Sequence, residues 1–263
     1  MSGAGRILIG TSGWHYRHWV GPFYPKGTRP DAFLRHYAGQ FPTTEINNTF
    51  YNLPAPDTFA AWRDATPPGF VFACKASRYI THMKKLRDPE AGGRRFFRAI
   101  EGLGDKRGPI LFQLPPRWHV NLDRLAAFLD ALPQDCRAAF EFRDESWFAS
   151  DVYEALARHD AAFCIYDLAG RCAPMEVTAG FVYLRLHGPR GPYQGSYAED
   201  ALKAWAERCV TWRKTGHDVY CYFDNDERGY AVENALRLID LVGVPSVDRG
   251  ETARRGQGSS QVA

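Results

Sequence analysis

Short apolar runs alternate with amphipathic segments along most of the chain, and several of the apolar runs end on polar or charged residues. The run at 70–75 ends on Lys75, the run at 137–142 holds Glu141, and the run at 181–187 ends on His187. A wholly apolar or alternating run is suited to a buried strand, where an unpaired charge is costly. We therefore expect these strands to end at one shared polar site.

The apolar runs predict eight strands, separated in most cases by segments with a helical period or helix-start signals. The crossover after the sixth strand is the exception, because the stretch 168–180 carries no convincing helix pattern. The predicted strands lie at 6–11, 43–47, 70–75, 109–114, 137–142, 161–167, 181–187 and 217–223. The predicted helices lie at 30–40, 57–65, 94–103, 121–132, 150–159, 198–214 and 230–242.

Regular alternation of strand and helix is typical of the α/β class, with a parallel sheet and crossover helices. Eight repeats predict a single (β/α)8 TIM-type barrel, with one domain over residues 1–245. An open doubly wound sheet is the alternative, and it is disfavoured because no G-x-G-x-x-G motif follows the first strand. Residues 246–263 are polar and rich in Gly and Ser, which predicts a disordered tail.

Composition narrows the class of protein. The 33 basic and 30 acidic residues give a net charge of +3, too balanced to indicate nucleic-acid binding by itself. No apolar stretch is long enough for a signal peptide or a membrane-spanning helix, so no membrane partner is expected. The six cysteines form no C-x-x-C pair, which predicts buried, reduced thiols in a cytoplasmic protein. The sequence does not indicate an oligomeric state.

The active site of a TIM-type barrel lies at the carboxyl ends of its strands. Side chains two apart on a strand share a face, so Glu141 and Arg143 point the same way, as do Arg185 and His187. We expect both pairs to face the barrel axis at its upper rim. Further candidates for this ring are Glu45, Lys75, Gln113, Tyr166 and Asp224.

Three of these residues are predicted to be catalytic. Glu141 is the candidate general acid or base, Lys75 the candidate for neutralising an anionic substrate or forming a Schiff base, and His187 the candidate second proton carrier. The alternative is that Glu141 only pairs with neighbouring cations and closes the top of the barrel. The predicted substrate-binding residues are Trp14, Glu45, Asn47, Gln113, Arg143, Arg185, Tyr197, Asp224 and Asn225.

The balance of charges in this ring indicates the kind of ligand. Carboxylates and an imidazole could bind a metal, but three nearby cations argue against a metal cage, so we predict no metal and no cofactor. A small anionic or polyhydroxylated ligand suits the ring better. The glycine-rich loop at 187–197 and the turn after the eighth strand would suit a phosphate, although they could simply shape a long turn.

Seven motifs, taken together, resemble the domain-of-unknown-function 72 family, also called YecE-like. They appear in order across about residues 6–242: GTSGWHYRHW, TEINNTFYNLP, KASRYITH, LFQLPP, EFRDESW, LRLHG with a downstream YQGSYAEDALKAWA, and YFDND with AVENA. The resemblance implies a TIM-type barrel and implies no particular reaction. This chain carries Asp224 where the family pattern more often has asparagine. The family's polar positions fall here on Glu45, Asn47, Lys75, Gln113, Glu141, Arg143, Arg185, His187 and the 224–226 stretch.

Our leading hypothesis from the sequence is an enzyme, a hydrolase, lyase or isomerase that acts at the barrel mouth. The first alternative is a non-catalytic barrel that binds nucleic acid or a partner through the basic segment 77–87 and the aromatic loop after the first strand. The second alternative is a metal-dependent nuclease or isomerase.

Overall fold

The computed structural model describes residues 3–243, so the tail predicted at 246–263 lies outside the described residues. Eight strands match the predicted ones to within two residues at each end, and a short ninth strand follows the sixth. The strands are β1 (Ile7–Thr11), β2 (Thr43–Ile46), β3 (Val71–Lys75), β4 (Arg107–Gln113), β5 (Ala138–Glu141), β6 (Ala162–Leu168), β7 (Arg171–Cys172), β8 (Phe181–Leu186) and β9 (Asp218–Phe223).

The eight main strands pair in parallel, in the order β1-β9-β8-β6-β5-β4-β3-β2. The two ends of this order meet through a parallel bridge between Ser12 and Glu45, beside a hydrogen bond from Thr44 Oγ1 to the Thr11 carbonyl at 3.1 Å. The sheet therefore curls into a nearly closed (β/α)8 barrel, and the fold prediction is confirmed. Because all eight strands run the same way, their carboxyl ends lie on one rim.

The helices flank the strands. They are α1 (Phe33–Ala38), α2 (Pro56–Asp64), α3 (Pro89–Ile100), α4 (Leu122–Asp130), α5 (Ser150–Arg158), α6 (Glu199–Lys214) and α7 (Tyr230–Val242). Local signals explain several of their ends. Proline occupies the first position of α2 and α3, the Asn121 side chain caps α4 by accepting from the Arg124 amide, and α7 ends at Gly243 with a φ of 63°.

Two differences from the predicted elements have simple causes. The helix expected at 94–103 begins earlier, at Pro89, because proline suits the first turn of a helix. The helical backbone is interrupted at Gly104, where φ is 55°. The stretch 168–180 contains no helix, as expected, but β7 pairs antiparallel with β6 through Leu168 and Arg171. This small hairpin therefore belongs to the one crossover without a helix.

The core has two parts, which follow from strand parity. Residues on one face of the strands pack against the helices. Residues on the other face fill the barrel, among them Leu8, Ala73, Leu111, Ala139, Cys164, Tyr183, Tyr220 and Tyr222. The barrel interior is therefore solid, and a ligand can reach the axis only from an end.

Candidate functional site at the carboxyl end of the barrel

Arg185, near the end of β8, lies at the centre of a charged cluster at the carboxyl end of the barrel. Its guanidinium donates to Glu141 Oε2 at 2.8 Å, to Glu45 Oε1 at 2.7 Å and to Asp224 Oδ2 at 3.0 Å. Burial opposes the positive charge, but the three carboxylates outweigh burial and raise the pKa of Arg185 well above its ordinary value. One arginine therefore links the ends of β2, β5, β8 and β9.

Glu141 is fully buried at the end of β5 and has a partner on several sides. It accepts from Gln113 Nε2 at 2.7 Å and from Arg185, and it forms an ion pair with Arg143. Burial alone would raise the pKa of the carboxyl, but Arg143 and Arg185 outweigh burial and hold the pKa well below its usual range. Glu141 is therefore ionised at neutral pH, which suits positioning of the arginines better than proton donation.

His187 lies between two arginines and a carboxylate, and these neighbours assign its tautomer. Its Nε2 is 3.0 Å from Arg143 Nη2 and 3.3 Å from Arg185 Nη1, and its Nδ1 is 3.1 Å from Asp224 Oδ2. A guanidinium can only donate, so Nε2 accepts while Nδ1 carries the proton and donates to Asp224. The ring is fully buried. Through its two nitrogen atoms it connects Arg143 with Asp224.

A second layer of side chains lies nearer to solvent. The side chains of Arg143 and Asp224 are 12% and 16% exposed, whereas those of Glu45, Glu141 and His187 are fully buried. The Arg143 guanidinium lies over the Tyr166 ring, 4.8 Å from its centroid. The site therefore has a buried floor of paired charges (Glu45, Glu141, Arg185 and His187) beneath a partly exposed layer (Lys75, Gln113, Arg143 and Asp224).

Lys75, the last residue of β3, differs from the other cations of the site. It forms no ion pair with a carboxylate anywhere in residues 3–243, and its ammonium lies over the Phe50 ring, 4.5 Å from the centroid. Burial lowers the pKa of Lys75, and the charge of Arg185 lowers it further. Arg143 and Arg185 each form an ion pair with a carboxylate. Lys75 is therefore the cation of the site that has no carboxylate partner in residues 3–243.

Several buried polar atoms of the site have no hydrogen-bond partner in the described part of the chain. They include two donors, Nε of Arg143 and Nε of Arg185, and one acceptor, Oδ1 of Asn47. A buried polar atom without a partner costs free energy, so native proteins usually pair such atoms or offer them to a ligand or water. Asp167 Oδ1 and Asn225 Oδ1 also lack partners, so the unpaired atoms of residues 3–243 are two donors and three acceptors, which would suit a ligand that carries both acceptor and donor groups.

Three predicted site residues lie outside this cluster. Trp14 packs edge-on against Trp62, with 5.1 Å between ring centroids. The Tyr197 hydroxyl accepts from the Gly188 amide at 3.0 Å, and Asn225 donates to the Gly195 carbonyl at 2.8 Å. Tyr197 and Asn225 thus hold the loop at 187–197 in place. Substrate binding by Trp14, Tyr197 and Asn225 stays a prediction, because none of the three belongs to the charged cluster.

Two residues that sequence reasoning missed complete the floor. Ser12 Oγ donates to Glu45 Oε1 at 2.9 Å, and the Tyr183 hydroxyl donates to Glu45 Oε2 at 2.7 Å. Tyr183 could have been found by strand parity, because it lies two residues before Arg185 on the same strand. Ser12 directly follows β1, which is the position where barrel strands present polar groups.

Neither metal ligation nor the aromatic first loop finds support in the geometry. Across residues 3–243, no three His, Cys, Asp or Glu side chains are placed so that they could hold a metal ion. In the first loop, Trp19 and Tyr24 are fully buried, and Tyr24 stacks on Phe33 with 4.2 Å between centroids.

No helix in the described part of the chain is long and apolar enough to cross a membrane.

The family model described as "Protein of unknown function DUF72" matches residues 8–257. The chain belongs to the DUF72 family. The UPF0759 protein YunF of Bacillus subtilis is 24% identical over 274 residues, which covers 90% of this chain and 95% of YunF. The UPF0759 protein YecE of Escherichia coli K12 is 31% identical over 149 residues, 56% of this chain and 52% of YecE.

Solved structures agree with the DUF72 assignment. A DUF72 family protein from Thermotoga maritima superposes with a TM-score of 0.82 at 28% identity. The match covers 91% of this chain and 100% of the Thermotoga maritima protein. A DUF72 family protein from Enterococcus faecalis gives a TM-score of 0.73 at 19% identity, over 92% of this chain and 99% of that one, which supports the fold alone. The family resemblance expected from the motifs is therefore confirmed.

Proposed function

We propose that this DUF72 protein is an enzyme that binds a small anionic, hydroxylated ligand at the carboxyl end of its barrel. The supporting observation is that Lys75 is a half-buried cation without a carboxylate partner in residues 3–243, beside a floor whose other charges are paired. Two further buried donors, on Arg143 and Arg185, also lack acceptors there. An anion placed over the partly exposed layer would pair with Lys75 and Arg143, the two cations of that layer.

Within the proposal, the layers of the site have different tasks. Lys75 and Arg143 bind the anionic group, and Gln113, Asn47 and Asp224 bind hydroxyls. The buried floor holds these groups in position, because a rigid, paired floor keeps them from relaxing away from the ligand. We assign Glu141 and His187 to this positioning, since both are fully buried and engaged with arginines.

Lys75 is the proposed catalytic group. A lowered pKa increases the fraction of neutral amine near pH 7, and a neutral amine can take a proton from a carbon beside a carbonyl. The Arg143 guanidinium would stabilise the negative charge that develops on the carbonyl oxygen. This proton transfer is typical of isomerases and lyases, which we favour over a hydrolase.

Binding is tested by calorimetry with inorganic phosphate and a set of phosphorylated and carboxylated sugars. We expect at least one of them to bind, and Lys75→Met to weaken that binding by about tenfold or more, the value of a charge-assisted hydrogen bond. Lys203→Met is the matched control, because Lys203 is an exposed lysine on α6. Unchanged binding in Lys75→Met, or no binding by any ligand of the set, would contradict the proposal.

Catalysis is tested separately by following deuterium uptake in heavy water. If Lys75 removes a proton from the ligand, the proton NMR signal of the carbon beside the carbonyl should disappear with the native protein. The rate should fall to the protein-free level in Lys75→Met and stay unchanged in Lys203→Met. If a ligand binds but no deuterium exchange occurs, the protein binds that ligand without catalysing this proton transfer, and the proposed enzymatic function is wrong.

A further inference from the structure

A groove on the outside of the barrel, separate from the site at its mouth, runs along α3. It consists of two adjoining cavities of about 870 and 570 Å³. Both cavities are lined by Leu53 from the loop after β2 and by Arg95 from α3, so they form one continuous surface. We call it the arginine groove; its other principal lining residues are Tyr51, Tyr79, Arg94 and Arg98.

The groove carries a concentration of positive charge that few carboxylates offset. Arg94, Arg95 and Arg98 are exposed, and none of them forms an ion pair with a carboxylate of residues 3–243. Arg94 and Arg98 are four residues apart, and like charges at this spacing destabilise a helix. Glu101 is the one acidic residue among the lining residues described for the two cavities. The groove therefore suits an anionic ligand.

Two exposed tyrosines lie in the same groove. Tyr51 is 76% exposed and Tyr79 is 42% exposed, and both line the smaller cavity together with Arg95. The Tyr51 ring has Phe50 on one side, with 4.9 Å between centroids, which supports it without covering it. Large aromatic side chains are costly to expose, and exposed ones often mark a contact surface.

We infer that the arginine groove binds a short segment of single-stranded nucleic acid. The arginines would contact consecutive phosphates, and unpaired bases would stack on Tyr51 and Tyr79, the combination that sequence-independent single-strand binding uses. An acidic peptide would satisfy the arginines but would leave the two aromatic faces without a stacking partner. The observation that favours nucleic acid is thus the placement of both tyrosines beside Arg95. This inference goes beyond the proposed function and uses none of its residues.

Fluorescence anisotropy with labelled ten-nucleotide oligo-dT and oligo-U tests the inference on the full chain. The combined variant Arg94→Gln, Arg95→Gln, Arg98→Gln should bind at least tenfold more weakly at low salt. Its slope of log affinity against log salt should be smaller by about 2, because each neutralised phosphate of a single strand contributes about 0.7. Tyr51→Ala and Tyr79→Ala should each weaken binding about fivefold or more.

The matched control replaces three exposed cations on other helices, Arg35, Arg158 and Lys214, by Gln. If this control loses as much affinity as the groove variant, binding is non-specific and the inference is wrong. If a polyglutamate peptide displaces the oligonucleotide at equal charge and the tyrosine variants bind normally, the groove binds acidic peptides and the inference is also overturned. Circular dichroism of each variant separates lost binding from lost folding.

Discussion

Arg185 Nη1 donates to Glu141 Oε2 at 2.8 Å, and both side chains are almost completely buried, with exposures of 1% and 0%. A buried ion pair contributes little net stability when it is intact, but removal of one partner leaves an uncompensated charge. Here the same guanidinium also compensates Glu45 and Asp224. The floor of the site therefore depends on one side chain more than on any pair.

The first prediction is that Arg185→Met strongly destabilises the protein. The substitution leaves Glu45 and Glu141 buried without their shared cation, so the free energy of unfolding should fall by about 3–5 kcal/mol. Urea unfolding followed by circular dichroism measures it. Arg237→Met is the control, because Arg237 pairs with Glu199 at the surface, and it should cause a far smaller loss. Equal losses would show that the floor is not a cooperative unit.

The second prediction concerns acid. The folded-state pKa values of Glu141 and Asp224 lie below the ordinary values of 4.5 and 3.8. Burial alone would raise both pKa values, but Arg143 and Arg185 outweigh burial at Glu141, and Arg185 and His187 outweigh it at Asp224. Because the unfolded chain then binds more protons at low pH, the stabilisation is complete above the ordinary values and is lost as pH falls below them. Unfolding free energies from pH 6 to 2 should decline less steeply in Glu141→Gln than in the native protein. Glu154→Gln should change the slope little, because Glu154 is exposed on α5 and forms no ion pair in residues 3–243.

The third prediction has the opposite sign. Burial raises the pKa of Asp226 from 3.8 to about 6, although Trp19 donates to it at 2.7 Å and His18 lies 2.9 Å away. The folded carboxyl keeps its proton at a pH where the unfolded one has lost it. The contribution of Asp226 to the free energy of unfolding therefore falls as pH rises from about 4 to 6. Relative to the native protein, Asp226→Asn should gain stability between pH 4 and 7. A difference that stays constant across this range would refute the raised pKa.

Strand parity explains why much of the site could be predicted. Glu141 with Arg143, and Arg185 with His187, lie two residues apart, and the structure brings all four together. The sequence could not show how the charges share partners, because pairing depends on distances across the barrel. The buried floor is mutually paired, as the ion-pair alternative expected, whereas Lys75 has no carboxylate partner in the described residues; a catalytic role for the ring stays a prediction.

Loop residues were harder to place than strand residues, for a physical reason. A strand alternates its side chains between two faces, but a loop has no period from which the direction of a side chain follows. Trp14, a predicted substrate-binding residue in the first loop, packs its ring against Trp62 and Phe72, a direction that no sequence period indicated. The exposed Tyr51 lies in a segment that the motif resemblance covered without marking it as a surface residue.

The fourth prediction is that Lys75 reacts as an amine at unusually low pH. Burial and the charge of Arg185 lower the pKa of Lys75, whereas the hydrogen bond to Asp88 raises the pKa of Lys84. Competitive labelling with trace acetic anhydride, followed by peptide mass spectrometry, gives the pH at which each amine reaches half of its maximal reactivity. The midpoint for Lys75 should lie below the ordinary value of 10.5 and below the midpoint for Lys84.

Arg143→Met provides the internal check on this fourth prediction. Arg143 forms an ion pair with Glu141, so its loss should leave that carboxylate less compensated and strengthen its pull on nearby protons. The Lys75 midpoint should then rise, because Glu141 favours the charged form of Lys75, while the Lys84 midpoint should not move. Coincident midpoints for Lys75 and Lys84 in the native protein would instead show that Lys75 is as solvated as a surface lysine, and would remove its claim to a catalytic role.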